Sequence, residues 1–455
     1  MLAKIHRIVC RDDSFLKLLL AICILFGAGL FLSRIIEIPW QSALRGWDNS
    51  FYYMWTRSLM IDGDIDFANE REINNTIAPA NIESFAAMEP TKTGLLPNKY
   101  GIGWGLSAIP FFLIADGIVW GANLTGLTEI PRDGYGPIYQ ICQQLGHLCY
   151  ALIGLYCAYK ICLCFFPPLL SKIGILGAWS TSMLPYYQCL NLSMAHNLTF
   201  TYTAICYLAS LRLLDDTTSY RKRWIALLWF SSGMLVVTRF QAAVYLIFPA
   251  YVILKGLIAR KDITSTCALF TLALAPVITQ LIAWKIIYGS FLINTYAHNE
   301  EGFYWSTPAL LEVLFSPNHG LFYWHPVLLI GLAGFIVFSK HQKEIGIAWL
   351  ISLGATYYVN ASWWCWWLGS SFGLRNFEAS VLFFMVGFSY FLNSIRSRES
   401  YWVAAKYGLL VFTLWNINIC VLYSADAISR NSAVSWFEML EATATFYPSI
   451  LTRVF

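Results

Sequence analysis

Twelve apolar stretches of spanning length succeed one another along the chain, near 16–35, 103–122, 138–159, 173–189, 197–212, 224–239, 241–256, 265–288, 321–338, 345–361, 379–394 and 402–424, divided by Gly, Pro and charged residues. About 20 apolar residues are what a helix needs to cross a bilayer, so the pattern predicts an all-α polytopic membrane protein. Composition narrows this further. Of 455 residues, 58% are hydrophobic and 12% charged, which excludes both a soluble globular domain and a disordered chain. The net charge of +4 gives no footing for a nucleic-acid partner.

The few charges orient the spans. Thirteen Lys/Arg fall in the loops 160–172, 212–223, 255–264, 339–345 and 395–402, whereas the alternating loops near 190–196, 239–241, 289–320 and 362–378 hold only Arg239 and Arg375. Positive residues concentrate on the cytoplasmic side, which makes the first set internal. The N-terminus is basic up to Lys17, and no small-residue cleavage site follows the first apolar stretch, which reads as a retained span with the N-terminus inside.

Reaching the inner side at Lys160 from the outer side of that span takes an odd number of crossings, yet two candidates intervene. The stretch 103–122 carries Pro110 and Asp116 in its middle and is expected to be re-entrant or interfacial, since a lone carboxylate at bilayer depth is costly. About eleven transmembrane helices remain, N-terminus in and C-terminus out. They form a single domain, residues 1–455, with a large external segment over 37–136 and an external tail over 425–455. The external segment holds 12 of the 26 acidic residues.

Candidate chemistry gathers on the outer side. Gly46-Trp47-Asp48-Asn49-Ser50-Phe51-Tyr52-Tyr53 places a carboxylate just after the first span, where it could serve as a general base or as a helix N-cap. Asp62-Gly63-Asp64-Ile65-Asp66 could hold a hard cation or form an acidic turn. Asn98-Lys99-Tyr100-Gly101 sets a cation at headgroup level, suited to a phosphate or to anchoring. His196, Arg239, Lys285, His319 and Arg375 stand at outward helix ends; Arg239 is the only charge between Arg223 and Lys255. Together the cations suggest convergence on an anion, with random anchoring as the competing account. Trp363, Trp364, Trp366 and Trp367 read as an interfacial belt or as a stacking surface. Most of the twelve cysteines lie in apolar runs with no CxxC pair, and residues such as Cys142, Cys149, Cys157, Cys206, Cys267 and Cys420 read as small buried hydrophobes.

This order of parts resembles the membrane glycosyltransferases of the GT-C superfamily: one span, a long acidic outer segment opening on an Asp, a Lys-Tyr before a partial apolar stretch, then helices with outward Arg. Nearest in style are the bacterial RgtA/B/C/D-like proteins, and more distantly the protein O-mannosyltransferases and lipid A aminoarabinose transferases. The resemblance implies that Asp48 is the catalytic base and that Lys99 reaches a donor phosphate. Asn49 stands where many members have a second acidic residue, and Lys-Tyr-Gly where they have Lys-Pro-Pro. It further implies an inverting transfer of sugar from a polyprenyl-phosphate carrier to a glycan or lipid acceptor, such as an O-antigen or lipopolysaccharide. Such a protein would sit in the bacterial inner membrane, with its active face periplasmic.

On this reading Lys99, Arg239 and Arg375 meet the donor phosphate, while Tyr52, Tyr100, His196, Lys285, His319 and Trp367 contact substrate. No cofactor is needed, although a divalent metal stays open, and there is no glycine-rich phosphate loop. A transporter or flippase for a lipid-linked sugar would be expected to show midplane carboxylates and internal repeats, and the chain has neither. A non-catalytic membrane subunit is the third alternative.

Overall fold

The computed structural model describes residues 14–15, 17–18, 21, 46–77, 88–126, 129–296 and 301–454, so nearly all of the apolar stretch 16–35 lies outside the described residues. Among these residues all regular elements are helical, apart from one isolated β-bridge between Phe303 and Trp363. The chain runs through α1 (Trp47–Arg57), a π-helical turn (Ser58–Asp62), α2 (Ala68–Ile77), α3 (Gly103–Leu124), α4 (Pro137–Cys162) and α5 (Pro168–Ser180). There follow α6 (His196–Leu214), α7 (Arg221–Thr238), a 3-10 segment (Phe240–Leu246) continuing into α8 (Ile247–Ile258), α9 (Ile263–Leu269) and α10 (Thr271–Tyr288). The remainder comprises α11 (Leu310–Phe315), α12 (Leu321–Trp324), α13 (Val327–His341), α14 (Lys343–Ser362), α15 (Val381–Ile395), α16 (Glu399–Ser424) and α17 (Trp436–Val454).

Among the described residues five helical segments are long and apolar enough to cross a membrane: α3, α4, Phe240–Ile258, Ile263–Tyr288 and α16. Their exposed faces carry Leu, Ile, Phe and Trp, which marks a membrane protein. Two predicted stretches are broken where proline interrupts them. The stretch 173–189 ends as a helix at Ser180 and resumes as a π-helical turn, Tyr186–Leu190, beyond Pro185. The stretch 321–338 splits at His325-Pro326 into α12 and α13. Cys149 and Cys267 are exposed on helix surfaces, against the expectation of burial, while Cys157, Cys206 and Cys420 are buried as expected.

The tightest crossing, α13 against α15, is made by glycine. A Cβ on Gly334 would come within 2.1 Å of the Gly387 carbonyl oxygen, so no larger residue fits without separating the helices. Helices α4 and α6 run side by side in the same direction: Asn197 Nδ2 donates to the His147 carbonyl, and Thr201 Oγ1 to that of Tyr150 (2.8 Å). By contrast α3 pairs antiparallel with the earlier part of α4. Trp104 stacks on His147, Gln143 Nε2 reaches the Ala108 carbonyl (3.3 Å), and Phe112 packs on Tyr139. Much of α3 therefore lies beside the portion of α4 that projects past the first turn of α6. Asp116 is neutralised there by Arg132 and accepts from the Tyr139 hydroxyl at 2.7 Å.

Helix α1 is clasped to the segment 98–105 at the same end of the bundle. Trp55 Nε1 donates to the Tyr100 carbonyl (3.2 Å), Thr56 Oγ1 to that of Gly105 (3.1 Å), and Asn98 Nδ2 to that of Phe51 (2.9 Å). Gly101 and Gly103 lie directly against the last turn of α7; a Cβ on Gly101 would stand 2.0 Å from the Val237 carbonyl oxygen. This brings Asp48, Lys99 and Arg239 to one place.

Candidate functional site

A cavity of 590 Å³ opens at that end of the bundle. Asp48, Tyr52, Lys99, Tyr100, His196, Arg239 and Arg375, all singled out in the sequence, line it together. Asp48 lies in the first turn of α1, where Gly46 is the N-cap and no side chain caps the helix, so the N-cap reading is corrected. Its carboxylate instead faces the cavity, with Oδ2 3.1 Å from Arg375 Nη1 and Oδ1 accepting from the Tyr100 hydroxyl. Both members of the ion pair stay accessible, Asp48 at 21% and Arg375 at 18% exposure.

Burial, reinforced by Asp48, pushes the Tyr100 phenol well above its ordinary range, so it stays protonated and donates to Asp48. Burial opposes the charge on Arg375, but Asp48 and the phenols of Tyr187, Tyr100 and Tyr52 outweigh it and hold the guanidinium above its usual value. Arg375 opens a 3-10 turn, Arg375–Phe377, at the end of an irregular loop. In this loop Leu368 takes a left-handed backbone (φ 67°), a strained conformation for a residue with a side chain.

Arg239 occupies the extended residue between α7 and the 3-10 segment, at a turn between two helices as expected. Its Nη1 lies 2.6 Å from His196 Nδ1, and its Nη2 donates to Asn376 Oδ1. Arginine only donates, and burial together with Arg239 and Arg375 holds the imidazole well below its ordinary value, so the ring nitrogen facing Arg239 is an acceptor and the imidazole is neutral. Glu378 Oε2 lies 3.4 Å from the same ring nitrogen. Burial raises the Glu378 carboxyl to about 7 against the pull of Arg239, and because the imidazole is neutral the His196–Glu378 contact is not a salt bridge. Among the described residues no carboxylate lies within ion-pairing distance of Arg239; the buried Glu378, half-protonated near neutral pH, is reached only through its field.

Lys99 is not free to the same degree: Nζ lies 2.7 Å from Glu301 Oε1 and 5.5 Å from the ring centres of both Tyr100 and Tyr296. Burial pushes the Tyr296 phenol up to about 12, with Arg239 opposing. Glu301 sits on a strap fastened to the end of α14, where Tyr304 N donates to the Ser362 carbonyl (2.6 Å) and Trp364 N to that of Gly302 (3.0 Å). Between these polar groups the wall is apolar, formed by Phe240, Val244, Trp284, Ile293, Phe303 and Val359.

Three of the candidates lie elsewhere. Lys285 caps its own helix, with Nζ 2.8 Å from the Gly289 carbonyl, and does not line the cavity. His319 is buried, held at about 4 by burial, with Nδ1 2.8 Å from the Trp367 carbonyl; it braces the loop from behind. Trp367 does not line the cavity, while Trp363 and Trp364 contribute to the wall. Among the described residues no group of three or more His, Cys, Asp or Glu could hold a metal ion. The 62–66 acids form a turn: Asp64 Oδ1 accepts from Ser58 Oγ (2.8 Å) and the Asp66 amide (3.1 Å). Sequence reasoning missed Tyr296, Glu301, Asn376 and Glu378; their one signal is position in the long connections 289–320 and 362–378 that also carry Arg375 and the tryptophans.

No protein-family model, curated protein or solved structure matches this chain.

Proposed function

We propose that the protein is an inverting glycosyltransferase of the GT-C type, moving a sugar from a polyprenyl-phosphate-linked donor to a cell-envelope acceptor. The observation that carries this reading is the meeting of an accessible carboxylate, Asp48, with three cations against one apolar wall. The wall suits an isoprenoid tail. Arg239, lacking a carboxylate of its own, suits the phosphate, with Arg375 and Lys99 beside it.

In the reaction the acceptor hydroxyl oxygen attacks the anomeric carbon from the side opposite the phosphate, and its proton passes to Asp48. The carbon–oxygen bond to phosphate breaks, and the phosphate leaves with the electron pair, its growing charge met by the guanidinium groups. Attack opposite the leaving group inverts the anomeric centre. Each Asp48 oxygen spends one lone pair on Arg375 or Tyr100 and keeps another for the incoming proton.

The same reading includes eleven spans, N-terminus inside and C-terminus outside, in a bacterial inner membrane with the cavity on the periplasmic side. Helix α3 is then the one apolar segment that does not cross. Its pairing with the projecting part of α4, and the neutralisation of Asp116 by Arg132, support that role. A reporter fused near Gly126 that scored cytoplasmic would overturn the topology.

The activity is tested by purified protein, radiolabelled polyprenyl-phosphate sugars and envelope acceptors. Transfer by the wild type that is lost in a folded Asp48→Asn variant is the expected result. Full transfer by that variant overturns the assignment of the base, and wild-type donor binding without transfer points to a binding subunit.

A further inference from the structure

A second cavity, of 720 Å³, lies on the other flank of the Asp48–Arg375 pair. It shares Trp47, Asp48, Leu368, Gly369 and Arg375 with the first, so the ion pair and the strained Leu368 form a partition with a hollow on each side. The two hollows differ in chemistry. The first contains Arg239, a cation with no carboxylate partner, and a broad apolar wall. In the second both cations are matched: Arg375 by Asp48, and Arg430 by Asp426. The donors of Arg430 are further occupied by the Tyr423 and Ser424 carbonyls, at 3.1 and 3.0 Å.

What the second hollow offers instead is neutral and polar. Asn191, Ser193, Ser370 and Asn431 line it, together with the rings of Tyr186 and Tyr187. Hydroxyl and carboxamide groups each present donors and acceptors, as do the hydroxyls of a sugar. A phosphate or uronate would find no unmatched cation here, and a lipid tail no continuous apolar wall. The volume is within the 300 to 1,000 Å³ that is roughly typical of small-molecule sites.

We infer that this second cavity is the acceptor subsite, and that the acceptor it takes is an uncharged, hydroxyl-rich glycan end rather than an anionic or lipidic group. The inference rests on the glycosyl-transfer reading and adds the chemical class of the acceptor. It also explains why Asp48 sits in the partition: a hydroxyl entering from the neutral side meets the carboxylate on the face away from Arg239 and Lys99, which line only the first cavity.

The test uses the full chain in lipid nanodiscs and two probes. One is a polyprenyl monophosphate; the other is the oligosaccharides released by mild acid from the producing cell's envelope, separated into neutral and acidic pools. The wild type is expected to bind the neutral pool. Ser370→Trp, at the exposed rim, is expected to cut that binding about tenfold or more, and Asn431→Ala about threefold, with polyprenyl phosphate binding within about twofold of wild type. Arg239→Gln should give the reverse pattern. Preference for the acidic pool, binding of neither pool, or neutral binding unchanged by Ser370→Trp would each overturn the acceptor assignment. Loss of both probes together in a monodisperse Ser370→Trp protein overturns the division into two cavities. Failure of the wild type to bind polyprenyl phosphate overturns the transfer reading itself.

Discussion

Helix α1 carries an arginine–carboxylate cluster at each end, in opposite surroundings. At its start Asp48 faces Arg375 across a partition open on both flanks. At its end Arg57, 7% exposed, is enclosed by Asp62 and by Glu70, which is fully buried. Arg57 Nη1 lies 3.0 Å from Glu70 Oε1, and Nε donates to the Asp133 carbonyl at 3.1 Å. Burial pushes Glu70 up to about 7 against the pull of Arg57. No cavity reaches this cluster among those described, so its charges are spent on tying the turn 58–66 and the 133–135 loop to α1. The same pair of residue types thus serves fixation where it is sealed and chemistry where it is reachable.

Substitution should separate the two ends. Asp48→Asn keeps the volume and a hydrogen-bond acceptor but removes the base. Transfer should fall by about 10²- to 10⁴-fold while the melting temperature stays near that of wild type, measured by radiolabel assay and by fluorescence-detected unfolding in detergent. Arg57→Ala should do the converse. It strands buried Glu70 and is expected to cost about 3–5 kcal/mol, seen as a lower melting temperature and a loss of monodisperse protein, with specific activity per folded molecule retained. If Arg57→Ala lost activity without losing stability, the sealed cluster would belong to the chemistry and the contrast would collapse.

Arg239→Gln removes the unmatched cation of the first cavity. A charge-assisted contact is worth about 1.5–3 kcal/mol, so donor affinity should weaken about 10- to 100-fold, with Arg239→Lys recovering part of it. Glu70 makes a pH prediction. Its folded value of about 7 lies above the unfolded carboxylate value, so the folded state holds the extra proton. Stability should therefore decline as pH rises from the unfolded value through about 7, and Glu70→Gln should flatten that part of the profile in thermal unfolding. Glu301→Gln releases Lys99 from its counter-ion; the donor KM should drop only about two- to fivefold, with greater salt sensitivity. An unchanged KM would show that Lys99 does not contact the donor.

The rarity of charge made the cavity legible before the fold was known. Arg239 and Arg375 are the only cations in the loops 190–196, 239–241, 289–320 and 362–378, and both line the cavity with Asp48 and Lys99. Lys285, at an outward helix end, failed, because a helix end has several faces and its ammonium turns back onto Gly289. Glu301 and Glu378 were illegible for a related reason: they sit in irregular backbone, where no period links sequence position to direction. The tryptophan cluster shows the limit at single-residue scale. Helix α14 stops at Ser362, and the path of the loop beyond it selects Trp363 and Trp364 over Trp367. The breaks at Thr181 and His325 lie near Pro185 and Pro326, a local signal that a hydropathy window averages away.

The contact of Gly101 and Gly103 with the end of α7 has a consequence for tolerance. Lys99 and Arg239 each lie two residues from the point where backbone meets backbone. Their separation is thus gauged by main-chain atoms rather than by side chains that exchange rotamers. A spacing set this way should hold steady when the surrounding lipid changes in thickness or the temperature shifts, much as a machined stop keeps its setting while the parts around it expand.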